Sequence, residues 1–348
     1  MTETDEPPEK IETIAQLDEL LSRPPDEVVD LFRRLAGPLV VLGGGGKIGP
    51  SLVRMACRAK EAAASGRQII VVDRFPEPAV RDSLAQAGAE TIRCDLLDPD
   101  AVADLPDARH VVYMVGMKFG TTGRPATTWA VNTLIPAYAA RRYRDANVVA
   151  FSTGCVYDLV PADSGGSVET DPLEPVGEYS NSCVGRERIL EHFSDTCGTA
   201  MLLVRLNYAV ELRYGVLADI AAAVHAGRPV DLTTGYVNVI WQGDVNAAVL
   251  RLLEHTTRPA SAINLTGAET LSVRQVAKRL AALMGKEVRF EGTEAETSLL
   301  SNASRAHRLL GPPRVPVEQV LRWTAAWVAA GKENLGKPTH FQARDGKY

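Results

Sequence analysis

Val40-Val41-Leu42-Gly43-Gly44-Gly45-Gly46-Lys47-Ile48-Gly49 decides the fold. Leu39–Leu42 is a short apolar run that ends in glycines. A helical pattern follows at Ile48, Leu52, Val53, Met55 and Ala56. Strand, glycine turn and helix N-terminus together build an anion site. One glycine permits the tight turn, another lets the backbone approach a pyrophosphate, and the last lets helix and strand pack closely. The spacing Gly43, Gly46, Gly49 suits those tasks, with Lys47 and Ile48 between them. The helix start adds free N–H groups and a positive partial charge. A second apolar run, Ile69–Val72, ends in Asp73, 24 positions after Gly49. An acid there accepts hydrogen bonds from the ribose hydroxyls of a bound dinucleotide. Its charge repels a 2′-phosphate, so NAD is expected over NADP, although the cations Arg74 and Lys47 soften that preference.

The pattern continues on both sides of this loop. Glu90–Cys94, His110–Val115 and Val148–Phe151 are further apolar runs with helical stretches between them. Continuous apolar strands alternating with helices imply a parallel sheet covered on both faces. The expected fold is therefore α/β, a Rossmann-type doubly wound parallel sheet, with a smaller C-terminal α/β substrate lobe. The lobe should hold helices near 215–227, 242–255, 272–284 and 316–330, and strand candidates at Val230–Leu232, Val237–Ile240 and Ala262–Leu265. Ser272 with Gln275 has the spacing of a capping box. Domain boundaries follow: a helical extension over 1–37, the cofactor domain over 38–207, the interleaved substrate lobe over 208–331, and a polar, extended tail over 332–348. The extension reads as a disordered tip at 1–10 and two amphipathic helices that pack on the body or contact a partner.

Composition narrows the function. Of 348 residues, 45% are hydrophobic and 23% charged, which is ordinary for a globular chain able to build its own core. A net charge of −5 gives no electrostatic reason to bind nucleic acid or an anionic membrane. No run approaches the roughly 18 apolar residues of a membrane span. The acidic start lacks the features of a signal peptide. Five scattered cysteines and six histidines show neither a disulfide framework nor metal-ligand spacing, so no metal is expected. A cytoplasmic homodimer acting on a small molecule is the expectation.

Several ordered motifs over residues 38–330 resemble the extended short-chain dehydrogenase/reductase family, in particular its NAD-dependent epimerases and dehydratases. Gly43, Gly46 and Gly49 match its G-x-x-G-x-x-G. Asp95-Leu96 is similar to its D-[LI] after the third strand, and Asp95 could reach the adenine edge or serve as a turn residue. Val115-Gly116-Met117-Lys118 looks like A-G-x-K, and Val131-Asn132 like V-N. Phe151-Ser152-Thr153-Gly154-Cys155-Val156-Tyr157 is similar to S-S-x-x-V-Y, and Ser301-Asn302-Ala303-Ser304-Arg305-Ala306 with Leu309-Leu310-Gly311 to S-K-A-x-x-x-L-G. The resemblance implies cofactor contacts at these positions, with Val115, Gly116, Lys118 and Asn132 among them. It also implies catalysis by Thr153 and Tyr179.

One departure stands out. The family pairs its tyrosine with a lysine four residues on, and here that position is Cys183. A free tyrosine has a pKa of about 10, and a neighbouring cation brings it toward working pH. Cysteine is never cationic. Three readings stay open: Arg186 or Lys118 substitutes, Cys183 has a chemical role of its own, or Tyr179 never deprotonates and the protein only binds a dinucleotide. A second departure concerns the substrate. Family members that take nucleotide sugars often carry an arginine where this chain has Val237, and a histidine where it has Trp241. A sugar or sugar acid is therefore expected rather than a typical nucleotide sugar. Asn207, Tyr208, Asn238, Trp241 and Gln242 are the candidates for contacting it, with Trp241 offering a flat face. The expected activity is oxidation of a secondary hydroxyl, and the alternative is a non-catalytic sensor or scaffold.

Overall fold

The computed structural model describes residues 8–118, 120 and 123–346, so most of the expected disordered tip lies outside the described residues. Seven strands form one parallel sheet: β1 Leu39–Leu42, β2 Ile69–Asp73, β3 Glu90–Arg93, β4 His110–Tyr113, β5 Asn147–Thr153, β6 Ala200–Leu206 and β7 Ser261–Leu265. Their spatial order is β3-β2-β1-β4-β5-β6-β7. The order reverses between β1 and β4, which opens a crevice outside the carboxyl ends of these strands.

Strand alternation sends neighbouring residues to opposite faces. Leu39, Val41, Ile69, Val71, Val112 and Val149 join a cluster with Phe32, Leu52 and Val249 on one face. Val40, Leu42, Ile70, Val72, Val111 and Val148 join Ile135 and Leu190 on the other. Both faces are covered, so the central strands read as unbroken apolar runs.

The two N-terminal helices, Ile14–Ser22 and Asp26–Arg34, spend their apolar faces inside the molecule. Leu17 and Leu21 are fully buried. Arg54 bonds Asp18 at 2.8 Å, and Asn246 donates to the Leu21 carbonyl at 2.9 Å. Thr13 and Gln16 form a full capping box at the first helix start, a signal not singled out in the sequence reading.

The C-terminal lobe contains helices Val216–His225, Val273–Met284 and Val317–Ala329. Ser272 caps the second by accepting from Gln275 N at 3.3 Å. Two of the strand candidates shrink to two-residue pairings, Val230–Asp231 with Phe290–Glu291 and Tyr236–Val237 with Leu271–Ser272. The third, Ala262–Leu265, is part of β7 and belongs to the main sheet. A stretch of 54 residues separates it from its pairing partner β6, so no local pattern reveals that placement.

The tail departs most from expectation. It is irregular and largely exposed, as its composition predicts, but it is pinned to the body at particular residues. Phe341 is buried in the apolar cluster of the lobe. Asp219 accepts from both Thr339 N (2.8 Å) and Thr339 Oγ1 (2.6 Å). Arg344 donates to the Thr297 carbonyl and, at 2.7 Å, to its hydroxyl. Gly346 packs on Val176 and Gly177. A polar segment can be held this way because its bonds are to specific side chains, which composition does not reveal.

Candidate active site

The glycine loop is shaped by close approaches. Gly43 has φ +84°, and a Cβ there would lie 2.9 Å from Val115 N at the end of β4. A Cβ on Gly49 would meet the Gly44 carbonyl oxygen at 2.3 Å. A Cβ on Gly46 would touch only the Gly43 carbonyl oxygen, at 3.5 Å, so the loop keeps one open side. The Asp73 carboxylate accepts from Gly45 N at 3.0 Å and from Phe75 N at 2.9 Å, which fixes it beside the loop. This open cradle beside an ordered carboxylate fits a dinucleotide whose pyrophosphate meets the loop. Arg74 is exposed next to Asp73. Asp95 uses a carboxylate oxygen to accept from Leu97 N at 3.1 Å, the turn role, while Leu96 is buried in the core.

Tyr179 lies in the first turn of the helix Gly177–Cys197. That helix turns Tyr179, Ser182, Cys183, Arg186 and Glu187 inward at three- and four-residue spacing. Ser182 Oγ donates to the Tyr179 carbonyl at 2.7 Å and accepts from Asn132 Nδ2 at 2.8 Å. Asn132 sits in a π-helical turn, Ala130–Leu134, a local unwinding frequent at functional sites. Its Oδ1 accepts from Arg186 Nη2 at 2.6 Å and from Met117 N at 3.0 Å. Arg186 Nη1 donates to the Phe151 carbonyl at 3.0 Å. A Cβ on Gly116 would fall 2.7 Å from Arg186 Nη2, so the glycine makes room for the guanidinium.

Burial pushes the Tyr179 phenol well above its ordinary pKa, the Cys183 and Cys155 thiols add to that, and the Arg186 cation opposes it. Burial likewise raises the Cys183 thiol, again against Arg186. Cys183 is fully enclosed among Cys155, Val156, Tyr157, Tyr179 and Leu299. Lys118, the other cation considered, has its Nζ 6.0 Å from the centroid of the Tyr179 ring.

Behind Thr153 runs a buried polar network. Glu187 pairs with Arg205 through Oε2 and Nη2 at 2.7 Å and also accepts from Ser152 Oγ. Arg205 Nη1 donates to Tyr157 Oη at 2.7 Å, and Tyr157 Oη donates to Asn264 Oδ1 at 2.8 Å. Arg205→Met should destabilise the protein by about 3–5 kcal/mol, because it strands the Glu187 carboxylate without a cation. Urea unfolding measures this, and an unchanged midpoint would show the pair to be dispensable.

Thr153 and Tyr179 line one cavity of about 220 Å³, together with Lys47, Ile48, Lys118, Asn207, Tyr208, Tyr214, Gln242 and Thr339. Thr153 Oγ1 accepts from Cys155 N at 3.1 Å. Tyr208 has φ +41°, a left-handed conformation unusual for a bulky residue and a place where strain is held at the site. Lys47 crosses the cleft: its Nζ lies 3.6 Å from the centroid of the Tyr214 ring on the opposite lobe. Burial and the like charges of Lys118 and Lys337 lower its pKa to about 7, against a weaker pull from Asp219.

Two substrate candidates are placed elsewhere. Trp241 is buried with its ring 5.4 Å from Trp323, so it fills the lobe's core and offers no open face. Asn238 bonds Asn207 at 2.7 Å and the Ser301 carbonyl at 2.6 Å, which makes it scaffolding behind Asn207. Asn207, Tyr208 and Gln242 do reach the cavity. Tyr214 and Thr339 were missed. Tyr214 is marked only by Gly215 after it, whose φ of +116° turns the chain back to the cleft. Thr339 has no local signal at all.

A doubly wound parallel sheet with a glycine loop at its switch point defines a dinucleotide-binding α/β protein. The profile of the NAD dependent epimerase/dehydratase family matches residues 39–265, and the chain belongs to that family. It is 25% identical over 177 residues to a dTDP-glucose 4,6-dehydratase of Streptomyces niveus. That alignment spans 48% of this chain and about half (52%) of the relative. Among solved structures, the UDP-glucose 4-epimerase of Thermotoga maritima, with UDP-glucose, superposes with TM-score 0.70 at 19% identity, covering 84% of this chain and 99% of the other. The dTDP-glucose 4,6-dehydratase of Bacillus anthracis, in complex with NAD, gives TM-score 0.71 at 17% identity, covering 85% and 97%. These likenesses speak to the fold. No helix among the described residues is long and apolar enough to cross a membrane.

Proposed function

We propose that this protein is an NAD-dependent enzyme that oxidises a secondary hydroxyl of a sugar or sugar-acid type substrate in the cavity between the sheet and the C-terminal lobe. The observation that carries this reading is that Tyr179 and Thr153 line one cavity with Lys47 and Ile48 of the glycine loop. NAD, when bound, supplies the acceptor for hydride from the carbinol carbon. The Tyr179 phenolate takes the hydroxyl proton, and Thr153 donates a hydrogen bond to the same oxygen. Arg186 stands in for the missing lysine. It is the cation that opposes the upward shift of Tyr179, and it reaches Asn132 from seven residues along the helix. Cys183 is apolar packing in this reading, since burial outweighs the opposing Arg186 cation and keeps the enclosed thiol protonated, and a protonated thiol is inert.

A binding-only role is the second reading, and the raised phenol of Tyr179 favours it. One measurement separates the two. The purified chain with NAD is offered free sugars, sugar acids and UDP- and dTDP-linked sugars, and absorbance is followed at the reduced-nicotinamide band. Sugar products are analysed by chromatography in parallel, and enzymatic function predicts with at least one class either a rise or, where the hydride is returned to the substrate, a new sugar product without one. NAD binding with neither a rise nor a new product for any class would leave the sensor reading.

A further inference from the structure

Past the helix Val317–Ala329 the chain runs mostly exposed as far as Pro338 and then turns into the body. The turn is made at His340, whose φ of +52° is left-handed. A non-glycine residue is held there only where its surroundings over-determine it. Thr339 and Phe341, on either side of it, are both buried. Thr339 reaches the cavity that Tyr179 and Thr153 line. Its hydroxyl is already used, donating to Asp219 at 2.6 Å and accepting from Phe341 N at 3.3 Å. What it can offer a ligand is therefore its methyl group, a steric boundary.

Phe341, Ala343, Arg344 and Gly346 continue along the same cleft. They wall a pocket that shares Cys155 and Tyr208 with the cavity and keeps only about 30 Å³. That is room for one or two waters. A substituent reaching past Cys155 and Tyr208 would run into this segment. The cavity itself, about 220 Å³, is smaller than the roughly 300–1,000 Å³ of a site for a drug-sized ligand. The anchors of the segment come from separate elements around the cleft. Asp219 belongs to the lobe helix Val216–His225, and Thr297 to a strand pair with Val160–Pro161. Gly177 opens the helix that carries Tyr179, and a Cβ there would lie 2.6 Å from the Gly346 carbonyl oxygen. The segment is thus fastened to the lobe and to the cofactor domain at once.

We propose that the C-terminal segment 339–346 is the specificity-determining wall of the substrate site. It limits the substrate to a single sugar-sized unit by occupying the space that a bulky substituent, such as a linked nucleoside diphosphate, would need. This deepens the proposed function and rests on reading the cavity as the substrate site. The discrimination is steric and needs no contact with the excluded group. Before such a group fits, it must draw Phe341 out of the apolar cluster and break the bonds of Thr339 and Arg344.

Two measurements on the full chain test it. Cys155 lines both spaces, so its labelling reads the wall directly. With the exposed Cys197 changed to serine, the chain is treated with N-ethylmaleimide or the bulkier fluorescein maleimide, and labelled peptides are mapped by mass spectrometry. Phe341→Ala with Arg344→Ala should speed labelling of Cys155 by the bulky reagent about tenfold or more, and Arg344→Ala alone should give a smaller rise. The buried Cys57 and Cys94 should stay unlabelled, which shows that the body remains folded; where they react in the double variant, the single one decides. In the second measurement the intact chain with NAD is offered free sugars, sugar acids and UDP- and dTDP-linked sugars, with absorbance and product chromatography as readouts. The kcat/KM for an unlinked substrate should exceed that for the linked ones about tenfold or more. Bulky labelling as fast in the intact chain as in the variants, or nucleotide-linked sugars turned over as well as free ones, would overturn the proposal. Faster labelling in the variants with no product from any class would sink the proposed function and leave the wall standing. Turnover of free sugars with labelling unchanged would do the reverse.

Discussion

Tyr179→Phe should lower kcat by about 10²–10⁴-fold while leaving NAD affinity unchanged. The substitution removes one oxygen from a side chain that is otherwise packed by its ring. Its neighbours Cys155, Cys183 and Leu299 are apolar and stay in contact with phenylalanine. The Tyr179 carbonyl still accepts from Ser182, so the helix start and Asn132 keep their geometry. What disappears is the only group in the proposed pair able to take a full proton. Steady-state kinetics with a fluorescence titration of NAD read the two effects separately. Turnover that survives in Tyr179→Phe would move the proton to another residue. A parallel fall in NAD affinity would mean that the hydroxyl serves binding.

Arg186→Gln carries the second large expected effect, and it is a shift in pH dependence. Arg186 is the cation that opposes the rise of the Tyr179 phenol, so removing it should push that group higher still. The limb on which kcat/KM rises with pH then moves to higher pH, and activity at neutral pH falls by about tenfold for each unit of movement. Some stability is lost as well, because Asn132 Oδ1 and the Phe151 carbonyl lose a buried donor, costing about 1–3 kcal/mol. A purely structural role would give only that loss. Adding Cys183→Lys to Arg186→Gln supplies a cation one helical turn from Tyr179 and should bring the limb part of the way back. A limb that stays in place in Arg186→Gln, with only the unfolding midpoint reduced, would make the guanidinium a scaffold for Asn132.

Legibility in the sequence followed the range of the interactions. Gly43, Gly46, Gly49 and Asp73 could be read directly, because a turn, a helix start and a strand end are set by residues near each other in the chain. The contact of Arg186 with Asn132 was not readable, since it joins residues 54 positions apart. Trp241 illustrates the opposite error. An aromatic residue at a lobe boundary is chemically suited to face a sugar, and only the position of Trp323 turns it into core. Asp95 had two readings, and the bond it accepts from Leu97 N gives it a turn role.

The sequence by itself determined a parallel α/β sheet with its cofactor loop, and it exposed the cysteine where the family carries lysine. Apolar periodicity and glycine sterics are local, so ten residues suffice to state them. Tertiary structure alone decided which side chains share the cavity. Lys47 turns across to Tyr214, and Thr339 arrives from a tail that composition describes only as polar. Their placement depends on hydrogen bonds and packing between segments far apart in the chain. Asp219 holding Thr339 from 120 residues away is the plainest case.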